Sequence, residues 1–147
     1  MRDKLQSLPQ NGAYRGADHP LVQHAIEYGK QQHTSMSSSF RCDVADQQFD
    51  SSDRPDCVVF ASCTIYELKP NNSAAKAKGE KQLDDYLKLV TDYYQKLIDS
   101  GDSADSDHGG SDAISKLAGC IGDDKKIVFK TEVATYDMCE NEYQCVQ

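Results

Sequence analysis

The chain predicts a single α/β domain, a small mixed central β-sheet flanked by helices. Three observations predict it. Two apolar, β-rich runs stand almost back to back at 57–60 and 63–68. A long stretch at 74–99 carries apolar residues at three- and four-residue spacing. A late alternating run, Lys126 to Thr135, supplies one more strand. Helices and strands in this order pack as helices on a sheet. At 147 residues, positions 1–147 read as one domain with room for a real core.

Residues 19–32 (HPLVQHAIEYGKQQ) predict a first helix, with Asp18 as N-cap and Pro20 in the first turn. Residues 35–39 (SMSSS) read as a linker, Phe40 to Val44 as a first strand, and 46–54 as a polar loop. The two apolar runs are separated by Ala61-Ser62, so an antiparallel hairpin is the economical reading. Pro55 suits a strand start. A turn centred on Ala61-Ser62 sets Asp56 opposite Glu67. It lacks the Gly or Asn that tight hairpins favour. Alternation puts Glu67 and Lys69 on one face, Tyr66 and Leu68 on the other.

In the long helix Leu83, Tyr86, Leu87, Val90, Tyr93, Tyr94, Leu97 and Ile98 form one broad apolar face. Ser73 is the expected N-cap and Ser100-Gly101 the stop. Gly79 loosens the first turns. Gln82 lies at the edge of the apolar arc, four residues before Tyr86, where it can reach a site on the sheet. Residues 99–112 (DSGDSADSDHGGSD) are acidic and Gly/Ser-rich, and a mobile loop is expected. No EF-hand pattern is present there. A short helix follows from Asp112 to Ala118.

The chemistry-bearing constellation is PDCVVFASCTIYELKP, from Pro55 to Pro70. Asp56 and Glu67 on one surface repel each other unless a cation lies between them. Mg²⁺ suits such oxygen ligands and keeps several waters. A cation there polarises a phosphodiester and acidifies a bound water. Lys69 then orients that water or stabilises charge developing on the phosphate.

These residues resemble the PD-(D/E)XK nuclease superfamily, the restriction-endonuclease-like fold. Asp56, Glu67 and Lys69 match its motif. Gln82-Leu83-Asp84-Asp85-Tyr86 looks like the Q-x-x-x-Y element of several exonuclease-like branches. YELKPNN, a Lys/Ala/Gly stretch and QLDDY further resemble bacterial polymorphic toxin domains of this fold. The resemblance covers about residues 55 to 90. It implies a Mg²⁺- or Mn²⁺-dependent nuclease, with Asp56, Glu67 and the Leu68 carbonyl as metal ligands. It implies that Lys69 handles the attacking water and that Gln82 and Tyr86 line the site. The family often adds an acidic residue from an N-terminal helix, and Glu27 is the carboxylate inside 19–32. Its position turns away from the Leu21/Val22/Ala25 face, which His24 flanks better. The resemblance further implies a DNA substrate, action in a target bacterial cytoplasm and a cognate immunity protein. An RNA-cleaving toxin and a non-enzymatic binding module of the same fold are the alternatives.

Composition sets bounds. No apolar run approaches the roughly 20 residues of a membrane span, and MRDKLQSLPQNG lacks the apolar core of a secretory signal. A net charge of −8 opposes casual nucleic-acid binding. Locally the balance reverses, with four Lys against one Glu from Lys69 to Lys81. Six cysteines leave two readings open, a disulfide framework or reduced buried thiols. Cys139 and Cys145 can close a small loop. No C-x-x-C occurs and the four histidines lack ligand spacing, which argues against structural zinc and against a Cys-His nucleophile.

Overall fold

A computed structural model describes residues 20–137, with side chains from residue 26 onward. Asp18, the His24 side chain, Cys139 and Cys145 lie outside the described residues. The elements are α1 (Pro20–Ser39), β1 (Val44–Ala45), β2 (Cys57–Val59), β3 (Thr64–Pro70), α2 (Ser73–Ser100), α3 (Ala113–Lys116) and β4 (Lys130–Tyr136). Single 3₁₀ turns lie at Ser106–His108 and Ala118–Cys120. The sheet order is β1-β2-β3-β4, antiparallel up to β3 and parallel between β3 and β4. A mixed sheet with helices on both faces is the predicted class, consistent with a restriction-endonuclease-like fold.

The β2–β3 register pairs Cys57 with Tyr66, Val58 with Ile65 and Val59 with Thr64. Continued one step, it sets Asp56 opposite Glu67. The turn closes from Phe60 to Cys63, whose N–H donates to the Phe60 carbonyl at 3.1 Å. The missing turn glycine is replaced by Cys63, which adopts φ 56°. That left-handed backbone is unfavourable for a side-chain residue and persists where surroundings hold it. Cys63 is held by a disulfide to Cys120 and by the Lys130 N–H on its carbonyl at 2.6 Å.

Two apolar clusters sandwich the sheet. On the α2 face Val58, Phe60 and Ile65 pack with Leu83, Tyr86, Val90 and Tyr94. On the α1 face Met36, Cys57 and Leu68 pack together, with Tyr66, Ala134 and Tyr136 against them. The buried stripe of α2 runs Gly79, Leu83, Tyr86, Val90, Tyr94, as helical spacing requires. Its N-cap is Asn72 rather than Ser73, because the Asn72 Oδ1 accepts the Ala75 N–H at 2.8 Å. Gly101, at φ 73°, ends it.

Tertiary packing also redraws several other segments. The SMSSS segment is the end of α1, because burial of Met36 against Cys57 and Leu68 outweighs the weak helix propensity of its serines. The first strand shrinks to Val44–Ala45, since the chain must turn at Arg41 (φ 52°) after the longer helix. The late strand starts at Lys130, because Ile127 and Phe129 are drawn into the core and Ile127 bridges to Ile121. The loop at 46–54 buries Phe49 completely, its ring 4.7 Å from that of His108 and 5.2 Å from that of Tyr93.

The acidic segment 99–112, expected to be mobile, is anchored at its centre. Tyr94 donates its hydroxyl to the His108 carbonyl at 2.7 Å, and the His108 ring spans the Asp105 carboxylate and the Gln48 carbonyl. The cysteine question is answered for the described residues: Cys42–Cys57 and Cys63–Cys120 are disulfides and no free thiol remains among them. No helix there is long and apolar enough to cross a membrane.

Candidate active site

Asp56 ends the loop before the interior strand β2, where α1 reaches it through His33. Its Oδ2 accepts the Leu68 N–H at 2.7 Å, so β3 itself fixes the carboxylate. The same oxygen lies 3.1 Å from His33 Nε2 on α1. His33 Nδ1 faces the Gly29 carbonyl at 2.8 Å. Both ring nitrogens therefore face oxygens, and a ring donating on both sides is the protonated imidazolium. The Asp56 hydrogen bond, acting against burial, raises the His33 pKa to about 9. Burial pushes the Asp56 carboxyl up, yet His33, Glu67 and the Leu68 N–H together hold it below the usual carboxylate range.

Glu67 is buried on the α2 face of β3, 4 % exposed. Its Oε2 lies 3.6 Å from Lys69 Nζ, as alternation along one strand requires. Burial first, and the Asp56 carboxyl second, drive its pKa upward. Two carboxyl groups bond directly only when one keeps its proton. Glu67 Oε1 is buried and receives no donor.

From α2, Tyr86 is buried beside Glu67; burial and the charges of Glu67, Asp53 and Asp56 raise the pKa of its hydroxyl. Gln82 is half-buried, and its Oε1 is enclosed without a donor. The glycine at 79 turns out to be a contact rather than a loose joint. A Cβ there would stand 2.9 Å from Lys69 Cγ and 3.3 Å from Val133, so Gly79 lets the Lys69 stem lie against the helix.

The structure thus gathers Asp56, Glu67, Lys69 and Tyr86, with Gln82 four residues before Tyr86 on α2. Leu68 enters through its N–H on Asp56, and its carbonyl is the group that the resemblance offers to a metal. Glu27 stands apart: it is exposed and pairs with Lys30 at 3.5 Å. Sequence reasoning missed His33. The signal was available, since Gly29, His33 and Met36 fall on one helical face once α1 is carried through to Ser39.

The donor set fits a hard cation. Asp56 and Glu67 offer oxygens, and one of them, Glu67 Oε1, is a buried acceptor without a donor. No group of three or more His, Cys, Asp or Glu among the described residues is arranged around a common point. A cation would rest on the two carboxylates, with waters completing its shell, as Mg²⁺ commonly does. Beside Asp56 opens a cleft of about 600 Å³, lined by Lys30, His33, Thr34, Ser37, Ala45, Asp46 and Asp56.

Residues 22–100 match a family described as restriction endonuclease fold toxin 9, over more than half of the 147 residues. The chain belongs to that family. The matched span runs from α1 to the end of α2 and includes every residue gathered above. It stops before α3, before Cys120 and before β4, the strand that completes the sheet in this restriction endonuclease fold toxin. No curated protein and no solved structure matches the chain. Family membership points to a nuclease toxin.

Proposed function

We propose that this restriction endonuclease fold toxin is a metal-dependent nuclease that hydrolyses phosphodiester bonds, with DNA as its substrate. The observation that carries the reading is the juxtaposition of Asp56, Glu67 and Lys69 at one end of the sheet, with a buried acceptor, Glu67 Oε1, left without a donor. Asp56 and Glu67 would hold Mg²⁺ or Mn²⁺, which when bound polarises the phosphate and acidifies a water.

The chain's own residues do the rest. Leu68 and His33 fix the Asp56 carboxylate from two sides. Lys69 keeps an ammonium beside Glu67, placed to orient the attacking water and to offset charge growing on the phosphate. Gln82 and Tyr86 close the α2 side and limit water around Glu67. In keeping with the toxin family, we place its action in the cytoplasm of competing bacteria, with a dedicated immunity protein protecting the producer.

Plasmid DNA and single-stranded RNA, incubated with purified protein in Mg²⁺, Mn²⁺ or EDTA, test the reading. Wild type should cut DNA with either metal and not in EDTA, and Glu67→Ala should leave it intact. Cleavage of RNA alone would move the substrate assignment. Intact DNA and RNA under every condition would defeat the nuclease reading.

A further inference from the structure

The cleft beside Asp56 has two chemically different walls. On one side α1 presents Lys30, His33, Thr34 and Ser37, whose three- and four-residue spacing places them on a single helical face. On the other stand the carboxylates of Asp46 and Asp56. The Lys30 side chain is 69 % exposed and only loosely held by Glu27 at 3.5 Å, so its ammonium is open to a ligand. His33 joins this wall to the reacting carboxylate through its 3.1 Å contact with Asp56.

The Thr34 hydroxyl is spent on the Lys30 carbonyl at 3.1 Å, so the Lys30 ammonium and the Ser37 hydroxyl are the donors this face offers to phosphate oxygens. Across the cleft Asp46 disfavours phosphate on its own side, whereas Asp56 is paired with His33 of the α1 wall. We propose that the α1 wall of this cleft is a phosphate-binding groove for the substrate strand, with Lys30 meeting a phosphate that flanks the one cleaved. The inference rests on the nuclease reading and extends it, because the basic stretch noted in the sequence, Lys69 to Lys81, lies on β3 and α2 instead.

The test separates binding from chemistry. A labelled DNA oligonucleotide is titrated by fluorescence anisotropy in Ca²⁺ across a salt series, and cleavage is timed in Mg²⁺. The proteins are wild type, Lys30→Ala, Lys30→Glu and Lys116→Ala, the last a charge loss on exposed α3. Lys30→Ala should raise Kd and KM by about three- to tenfold, with kcat within about twofold. The slope of log K against log salt should shrink by about 0.7 to 0.9, the loss of one phosphate contact. Lys30→Glu should weaken binding further, and Lys116→Ala should match wild type. The groove assignment is overturned if both Lys30 variants bind with wild-type Kd and slope, or if kcat falls while KM stays. A wild type that cleaves nothing defeats the nuclease reading, and anisotropy still decides whether the groove holds the strand.

Discussion

Glu67 and His33 both bind protons more tightly in the folded chain than in the unfolded one. Burial and the Asp56 carboxyl lift Glu67 from 4.5 to about 8, and the Asp56 hydrogen bond lifts His33 from 6.5 to about 9. Groups raised in this way stabilise the fold fully below their unfolded values and lose that contribution as pH climbs to the folded ones. The cation-free protein should therefore melt at progressively lower temperature as pH rises from about 5 to about 9. Thermal melts in EDTA across that range check this, and Glu67→Gln should flatten the portion below about 8. Mg²⁺ should restore stability most at the alkaline end, where the Glu67 proton leaves. Lys69→Ala should retain the fold and lose about 10²- to 10³-fold in kcat, as removal of a transition-state charge partner does; steady-state kinetics reads it. At this scale Asp56, Glu67 and Lys69 were legible because strand alternation and a two-residue turn leave few arrangements. His33 was not, because serines in the last turns of α1 concealed how far the helix runs.

Cross-links and one glycine hold the elements in register. The Cys42–Cys57 disulfide ties the segment after α1 to the residue following Asp56, and Cys63–Cys120 ties the hairpin turn to the segment before β4. The bridged cysteines lie 15 and 57 residues apart, so their chain-entropy contributions are about 3 and about 4 kcal/mol. Reduction with dithiothreitol should lower the melting temperature by well over 10 °C, measured by circular dichroism. Gly79→Ala sets a different expectation. Alanine favours the helix by about 1 kcal/mol, but its Cβ meets the Lys69 stem. The melting temperature should change little while kcat falls severalfold, a split that kinetics and melts on one preparation resolve. The hairpin and the long helix were readable from periodicity alone. The extents of α1, β1 and β4 were not, because burial of Met36, the turn at Arg41 and core packing of Ile127 and Phe129 are tertiary effects. The acidic segment read as mobile since composition does not show that the His108 ring packs edge-on against Phe49 and that its carbonyl accepts the Tyr94 hydroxyl.

The whole molecule is acidic, with a net charge of −8, yet it places Lys69 beside Glu67 and Lys30 in the cleft beside Asp56. Lys76, Lys78 and Lys81 stand exposed on the first turns of α2, and Lys30 on α1. Such an arrangement steers a phosphate backbone locally while the remaining surface repels it, so turnover on DNA should fall steeply with added salt. The fold class was predictable as a whole, because alternating helices and strands with one mixed sheet admit few packings. The parallel pairing of β4 with β3 was beyond the sequence, since nothing local specifies where a strand arriving after α2 and α3 will dock. The proposed toxin does its harm through Asp56, Glu67 and Lys69. Induced expression in bacteria, with growth and nucleoid DNA followed together for wild type and Lys69→Ala at matched levels, tests it most directly. Wild type should arrest growth and lose its stained DNA, while Lys69→Ala should grow with its nucleoid intact. Equal arrest by both proteins, or normal growth with intact DNA in both, would rule out that route of toxicity.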